Sequence, residues 1–250
     1  MKQNTSWGNV ADWYAALLKD PDNYQSQVIL PNLVRVMDVK PTHTVLDLAC
    51  GTGFFSEVFC SQGGKVIGVD ISPELIEIAK AHASKDISFS VSQAHKLPMI
   101  ESGTVDSIAI VLALQNIKEA KETLTECFRV LKPGGKVCIV LNHPAYRIPT
   151  ASSWEWDEKN NKQFRRIDQY LSEKSVEIAM HPGAKPHEKT VSFHRPLQFY
   201  VKAARASGFV ITRLEEWISH KASQKGPRQQ EEDRIRKEIP LFMLLECTKL

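Results

Sequence analysis

The chain has 250 residues, which fits one globular domain with added segments or at most two small domains. Its composition, 42% hydrophobic and 24% charged, is ordinary for a protein that buries a core of its own. A formal net charge of +3 is too small to indicate a nucleic-acid-binding protein, whose basic residues usually cluster on one face. The longest apolar runs, 108–114 and 137–141, are too short to cross a bilayer, so we expect no membrane insertion.

The five cysteines are an odd number and include no Cys-x-x-Cys pair. Cys127 and Cys138 lie in apolar patterns, so buried thiols are expected rather than disulfides or a zinc site. His181, His187 and His194 are spaced too irregularly to share one helix face, and no metal site is predicted. Because the first residues also lack the apolar run of a signal peptide, we expect a cytoplasmic protein.

Short apolar runs alternate with helical patterns between residues 44 and 141. The predicted strands are 44–48, 65–69, 87–91, 107–112 and 136–141, and the predicted helices are 54–62, 73–83 and 120–131. Ser72 before Pro73 is a typical helix start, and Pro133-Gly134-Gly135 is expected to break the chain before the fifth strand. This rhythm predicts a parallel sheet with helices on both faces.

The segments on either side of this core have different patterns. Residues 1–40 contain Trp7, Trp13 and Tyr14, which are expected to pack as a cap on the core at 41–141. Residues 142–195 are polar and rich in aromatics and interrupt the sheet pattern. Residues 196–250 resume it with a helix at 197–206 and strands at 209–214 and 241–247, joined by a mixed-charge helix face or loop. We expect a single domain.

A glycine-rich turn follows the first strand. The apolar stretch from Val45 runs into Gly51-Thr52-Gly53, which opens a helix. Glycine is needed where a turn takes positive φ and where a ligand approaches the backbone. By itself this turn is a weak signal, because a nicotinamide dehydrogenase offers nearly the same arrangement.

Four further details distinguish the two interpretations. Ser56 stands where a dinucleotide fingerprint has its third glycine, and Asp47 precedes the turn, where it suits a cationic group and repels a pyrophosphate. Asp70 ends the second strand. The fourth strand is followed by a helix, and Lys132-Pro133-Gly134-Gly135 comes directly after that helix. Together they resemble the class I S-adenosylmethionine-dependent methyltransferase family, in the branch that includes the quinone methylases. The resemblance is specific over residues 44–141.

The resemblance implies an α/β fold, a Rossmann-like three-layer α/β/α sandwich around a seven-stranded, mostly parallel sheet with an inserted lid. The last strand is then antiparallel, and the cofactor is S-adenosylmethionine. The cofactor-binding residues it implies are Asp47, Ala49, Gly51, Gly53, Asp70, Ile71, Gln93, Ala94 and Val111.

Two of these assignments have plain alternatives. An Asp after a strand often only caps a helix, but Ser72 supplies that cap, which leaves Asp70 free for ribose hydroxyls. Gln93 replaces the acidic residue that the family commonly has, and it is either an adenine contact or an exposed loop residue.

The expected acceptor pocket lies beyond the fourth and fifth strands, because ligands gather at the carboxyl ends of parallel strands. Gln115 and Asn116 follow the fourth strand and are either substrate contacts or a polar turn. His143 and Tyr146 follow the fifth and are expected to line the pocket. His143 is the general-base candidate because its pKa is ordinarily near neutrality; the alternative is a loop histidine held by backbone hydrogen bonds.

Residues 142–195 are expected to form a substrate lid whose aromatic and arginine side chains hold an aromatic or anionic acceptor, or else a small packed subdomain. The predicted reaction is methyl transfer to O, N or C of a small molecule. Three alternatives stay open: a nicotinamide oxidoreductase, a binding module without activity, and an RNA-modifying methyltransferase. The last would track phosphates with Arg147, Arg165, Arg166, Lys225 and Arg228.

Overall fold

The computed structural model describes residues 7–8, 11, 15–16, 18, 20–81, 83–181 and 185–250, and at 179–181 and 185–188 it describes the backbone alone. Trp13 and Tyr14 of the predicted cap lie outside the described residues. The side chains of His181 and His187 do so as well.

Six α-helices lie wholly within the described residues. They are α1 (Leu30–Met37), which continues a π-helical turn at Gln25–Ile29, α2 (Phe54–Ser61), α3 (Pro73–Ala81), α4 (Ala120–Val130), α5 (Leu197–Ala206) and α6 (Gln229–Glu238). A 3-10 turn occupies Leu114–Asn116.

Strands β1 to β5 are Thr44–Leu48, Lys65–Asp70, Ile87–Val91, Val105–Val111 and Leu131–Asn142. Strands β6 to β9 are Ser152–Asp157, Lys162–Ile167, Lys174–His181 and Lys185–His194. The last two are β10 (Val210–Trp217) and β11 (Phe242–Thr248).

Seven strands form the central sheet in the order β10-β11-β5-β4-β1-β2-β3. The pairs among β1 to β5 are parallel, whereas β11 is antiparallel to both β5 and β10. The predicted seven-stranded, mostly parallel sheet with an antiparallel last strand is confirmed. Because the strand order reverses between β1 and β4, a crevice forms at their carboxyl ends.

Both faces of the sheet are covered by helices, which gives the three predicted layers. Successive residues of a strand point to opposite faces. Leu46 of β1 accordingly packs in a core with residues of α4 and α5, while Val45 packs with residues of α1, α2 and α3.

The fifth strand begins earlier than expected. Pro133-Gly134-Gly135 lies inside β5, where the register with β4 shifts from Val105↔Leu131 to Ser107↔Lys136. Gly134 has φ +78°, and its N–H donates to the Lys249 carbonyl at 2.6 Å. The glycines therefore form an irregularity of the strand rather than a break before it.

The lid segment folds into two hairpins that the sequence pattern did not predict. β6 pairs with β7 and β8 with β9, each separately from the central sheet. The mixed-charge connection after β10 contains α6, where Arg234 pairs with Glu231 at 2.7 Å.

Candidate functional site

A cavity of about 770 Å³ lies at the carboxyl ends of the central parallel strands. Its walls are the last residues of β1, β2 and β4, the residues that follow β1 to β4, part of the β8–β9 hairpin, and Trp7, Gln25, Leu75 and Asn142. The volume is within the usual range for small-molecule sites. Its position is the switch point of the sheet, where ligands of open α/β folds bind.

The turn after β1 exposes its backbone to this cavity. Ala49 and Gly51 border the cavity with φ of +60° and +56°. The turn is fixed by the Cys50 N–H, which donates to the Val69 carbonyl of β2 at 3.0 Å. A left-handed alanine is strained, and such strain is common at ligand-binding turns.

Gly53 has a different role from the predicted one, because it does not border the cavity. Its φ is +80°, and a Cβ there would lie 2.8 Å from the Cζ of Phe89 on β3. Packing of the α2 start against β3 therefore requires this glycine. The expected close approach to a ligand applies to Gly51.

Asp70 links two turns at the edge of the cavity. Its Oδ2 accepts a hydrogen bond from the Gly51 N–H, and its Oδ1 accepts one from the Ser72 N–H, both at 2.9 Å. Ser72 Oγ caps α3 by accepting from the Leu75 N–H at 3.3 Å, as predicted. The carboxylate is thus not free of protein bonds, but each oxygen can accept a further hydrogen bond. Burial raises the pKa of Asp70.

Asp47 lies beneath the turn and does not border the cavity, so its expected contact with a ligand stays a prediction. It is 2% exposed, and Ser56 Oγ donates to its Oδ2 at 2.6 Å. Burial raises its pKa to about 7, the Ser56 hydrogen bond opposes this rise, and the charge of Asp70 adds to it. Ser56, in place of a third glycine, therefore binds the buried carboxyl group.

The remaining predicted cofactor residues all border the cavity. Ile71 follows β2, Gln93 and Ala94 follow β3, and Val111 ends β4. The loop after β3 is held by the Ser92 N–H, which donates to the Asp70 carbonyl at 2.9 Å.

Gln115 and Asn116 also border the cavity, and they form a polar turn as well. Their side-chain amides donate to the carbonyl of Leu112 at 2.8 and 3.3 Å. Leu112 has φ +52°, a second left-handed residue at the cavity. Gln115 Oε1 is buried and has no hydrogen-bond partner.

His143 and Tyr146 are not brought to the cavity, although their neighbour Asn142 is. His143 Nδ1 accepts from the Ala145 N–H at 3.2 Å, so its Nε2 carries the hydrogen and donates to Glu216 at 2.7 Å. The ring stacks on Tyr146 with centroids 4.5 Å apart. Burial lowers the pKa of His143, and Glu216 partly offsets that effect. Both ring nitrogens are therefore occupied, and His143 joins the end of β5 to β10. Its role as a general base stays a prediction.

The lid hairpins differ in their relation to the cavity. The predicted lid aromatic Phe193 borders it from β9, together with Ile178 and residues 190–192, which sequence reasoning missed. Their alternation of apolar and small polar side chains was the available signal. On the other hairpin, Trp154 stacks on Arg165 at 5.1 Å away from the cavity walls. Of the aromatic and arginine side chains expected in this segment, the Trp154–Arg165 pair therefore does not border the cavity, whereas Phe193, whose ring lies 4.9 Å from Arg195, does.

No group of three or more potential metal ligands occurs among the described residues. None of the helices in the described part of the chain is long and apolar enough to cross a membrane.

Comparison with known proteins gives matches over the central part of the chain. A family model described as a methyltransferase domain matches residues 46–139. The chain is 43% identical over 113 residues to the demethylmenaquinone methyltransferase of Lactococcus lactis, an alignment covering 42% of this chain and 44% of that protein. It is 31% identical over 96 residues to the ubiquinone biosynthesis O-methyltransferase of Xanthomonas oryzae, an alignment covering 37% of this chain and 40% of that protein. The matches span less than half the length of these curated relatives.

Solved structures resemble nearly the whole chain. An S-adenosylmethionine-dependent methyltransferase from Mesorhizobium loti superimposes with a TM-score of 0.70 at 24% identity, covering 90% of this chain and 98% of its own. The 1,6-didemethyltoxoflavin-N1-methyltransferase of Burkholderia thailandensis, which holds S-adenosylhomocysteine, superimposes with a TM-score of 0.55 at 14% identity. The superposition covers 100% of this chain and 90% of that protein. Residues 46–139 therefore match a methyltransferase domain, and the chain shares the Rossmann-like fold of these S-adenosylmethionine-dependent methyltransferase structures.

Proposed function

We propose that this chain transfers a methyl group from S-adenosylmethionine to a small aromatic acceptor of the quinol type. The observation that carries the proposal is one cavity in which the turn after β1 and Asp70 face a partly apolar wall that also includes Lys118 and Glu119. We call Ala49, Gly51, Asp70, Ile71, Gln93, Ala94 and Val111 the cofactor side. Gln115, Asn116, Asn142, Ile178 and residues 190–193 are the acceptor side.

The residues of the cofactor side fit S-adenosylmethionine. Asp70 accepts from the N–H groups of Gly51 and Ser72 and is also hydrogen-bonded by the backbone of Ile71, and its carboxylate has about four acceptor sites, which leaves capacity for a ribose hydroxyl. Gln93 offers an amide oxygen to the adenine amino group, and Ile71 and Val111 offer apolar contact to the base. The bound cofactor would supply a methyl group attached to a sulfonium sulfur, and this sulfur is a good leaving group.

Charge on the cofactor side favours a cation over a dinucleotide. Asp47 and Asp70 lie close enough for the charge of one to raise the pKa of the other. Two carboxyl groups beneath and beside the turn disfavour a pyrophosphate and favour the ammonium and sulfonium groups of the proposed cofactor. These two carboxyl groups therefore argue against the alternative that the chain is a nicotinamide oxidoreductase.

The acceptor side suits an uncharged ring. Ile178, Val191 and Phe193 supply apolar contact, while Gln115 and Asn142 supply neutral hydrogen-bonding groups. The names of the relatives, which methylate demethylmenaquinone or act in ubiquinone biosynthesis, support an acceptor of the quinol class. The arginines of the β6–β7 hairpin do not border the cavity, so an anionic acceptor held by them is disfavoured.

Catalysis rests on alignment and desolvation. Among the described residues of the acceptor side there is no histidine or cysteine, and His95, which borders the cavity, follows β3 beside Gln93. A quinol supplies its own nucleophile through a phenolic hydroxyl or the electron-rich ring. Holding it in line with the methyl group contributes roughly 7–11 kcal/mol of barrier reduction.

The RNA-modifying alternative is weakened by the state of its arginines. Arg166 pairs with Glu155 and Asp168, both at 2.8 Å, and Arg228 pairs with Glu158 at 2.9 Å. Charges neutralised within the chain contribute little to phosphate binding.

A panel assay with methyl-labelled S-adenosylmethionine tests the proposal. The acceptors are naphthohydroquinone, a catechol, nicotinic acid as an anionic ring, and total RNA. Label is expected in the hydroquinone or the catechol. Label in RNA alone would support the RNA-modifying alternative, and binding of the cofactor without label in any acceptor would support a binding module.

A further inference from the structure

Arg195 is a buried cation between β9 and α5. It is 6% exposed, and no carboxylate of the described residues forms an ion pair with it. Its Nη1 donates to the Leu114 carbonyl at 3.2 Å, and its Nη2 donates to the carbonyls of Ile117 and Lys118, both at 2.9 Å. A buried charge is costly unless it is hydrogen-bonded, and here one segment after β4 supplies three main-chain acceptors, with the Tyr200 side chain of α5 as a further partner.

Two aromatic rings contact the same guanidinium. Its central carbon lies 4.9 Å from the ring centroid of Phe193 and 4.9 Å from that of Phe199. Phe193 borders the cavity from β9, while Phe199 belongs to α5. Arg195 therefore touches both walls of the acceptor side: the hairpin through Phe193, and the segment that carries Gln115 through main-chain carbonyls.

We propose that Arg195 is a positioning residue that fixes the spacing between these two walls and so sets the fit of the acceptor ring. This inference rests on the proposed function. Its physical basis is that a displacement of about 1 Å in a reacting geometry can cost about a hundredfold in rate. The hydrogen bonds and ring contacts of Arg195 involve no residue of the cofactor side.

The geometry requires an arginine rather than any cation. A guanidinium donates in its plane to several carbonyls while both of its faces stay free for rings. A lysine ammonium in the same place keeps the charge and can reach carbonyl oxygens, but it has no planar face to stack. Arg195→Lys therefore preserves charge while loosening the connection between the walls.

The test compares Arg195→Lys and Arg195→Met with Arg166→Met, an arginine of the exposed β7 strand. Naphthohydroquinone serves as acceptor under reducing conditions, and S-adenosylhomocysteine binding is measured by calorimetry. We expect Arg195→Lys to raise the acceptor KM by about tenfold or more while the S-adenosylhomocysteine Kd stays within about threefold. Arg166→Met is expected to leave the acceptor KM and the S-adenosylhomocysteine Kd within about threefold of wild type.

Amide hydrogen exchange of the S-adenosylhomocysteine complex gives a readout that needs no acceptor. Residues 112–119 should exchange faster in Arg195→Lys than in wild type, while residues 49–53 should not change. Unchanged exchange at 112–119, an unchanged acceptor KM, or a loss of S-adenosylhomocysteine affinity parallel to the rise in KM would each overturn the inference. If Arg195→Met does not fold, the results for Arg195→Lys alone test the inference. Failure of the proposed function itself is distinct, since the wild type would then bind no S-adenosylhomocysteine or would methylate none of the acceptors.

Discussion

The carboxylate of Asp70 at the end of β2 accepts a hydrogen bond from the Gly51 N–H in the turn after β1, at 2.9 Å. The residue proposed to bind ribose thus also holds the glycine turn that borders the same cavity. A change at Asp70 is therefore expected to act on the ligand and on the turn together.

Asp70→Ala should lower S-adenosylhomocysteine affinity by about a hundredfold or more, because it removes up to two charge-assisted hydrogen bonds of roughly 1.5–3 kcal/mol each. Calorimetry measures the change, and Asp86→Ala, an exposed aspartate before β3, is the matched control. An affinity within about threefold of wild type would mean that Asp70 does not bind the ribose.

Gly53→Ala should destabilise the fold more than Gly103→Ala. Both positions have positive φ, but a Cβ at Gly103 meets nothing within 4 Å, whereas one at Gly53 meets the Phe89 ring at 2.8 Å. We expect roughly 1–2 kcal/mol of backbone strain at each position and a further 1–3 kcal/mol of overpacking at Gly53. Denaturant unfolding measures both, and Gly53→Ala with Phe89→Leu should recover part of the loss. Equal losses at the two glycines would contradict the packing role.

Asp47 should make the protein less stable as pH rises. Its pKa is about 7 in the folded chain against an ordinary 3.8, so the folded state keeps a proton that the unfolded state releases between these values. The free energy of unfolding should therefore fall between about pH 4 and pH 7, and Asp47→Asn should flatten this part of the profile. A mutant with the wild-type slope would refute the assignment.

Cofactor binding should release a proton near neutral pH. The cationic groups of S-adenosylmethionine favour the ionised form of Asp47, which is partly protonated there because of its burial. Titration calorimetry in buffers of different ionisation enthalpy counts the released protons. Asp47→Asn should bind with fewer protons released, and equal release from both proteins would show that another group titrates.

His143→Gln should act on stability and not on the pH dependence of catalysis. Because burial lowers its pKa below 6.5, protonation opposes folding, and wild type should lose stability as pH falls below that value. The mutant should lose less stability over the same range, although its unfolding free energy near neutrality is lower because the bond to Glu216 is gone. A pH–rate profile that loses an ionisation in the mutant would restore the general-base role.

The strand–helix rhythm of residues 44–141 sufficed to predict the sheet, because buried strands and capped helices leave strong local patterns. The separate roles of Gly51 and Gly53 could not be predicted, since they depend on Phe89, a residue distant in sequence. His143 was misplaced for the same reason: Glu216, its partner, comes from β10. The division into cap, core, lid and C-terminal part stays a prediction.

The most direct test of the central claim is titration of the wild-type chain with S-adenosylhomocysteine and with NAD under the same conditions. The cavity described by Ala49, Gly51, Asp70 and Gln93 predicts saturable binding of S-adenosylhomocysteine and negligible binding of NAD. Binding of NAD without binding of S-adenosylhomocysteine would contradict the assignment of this cavity.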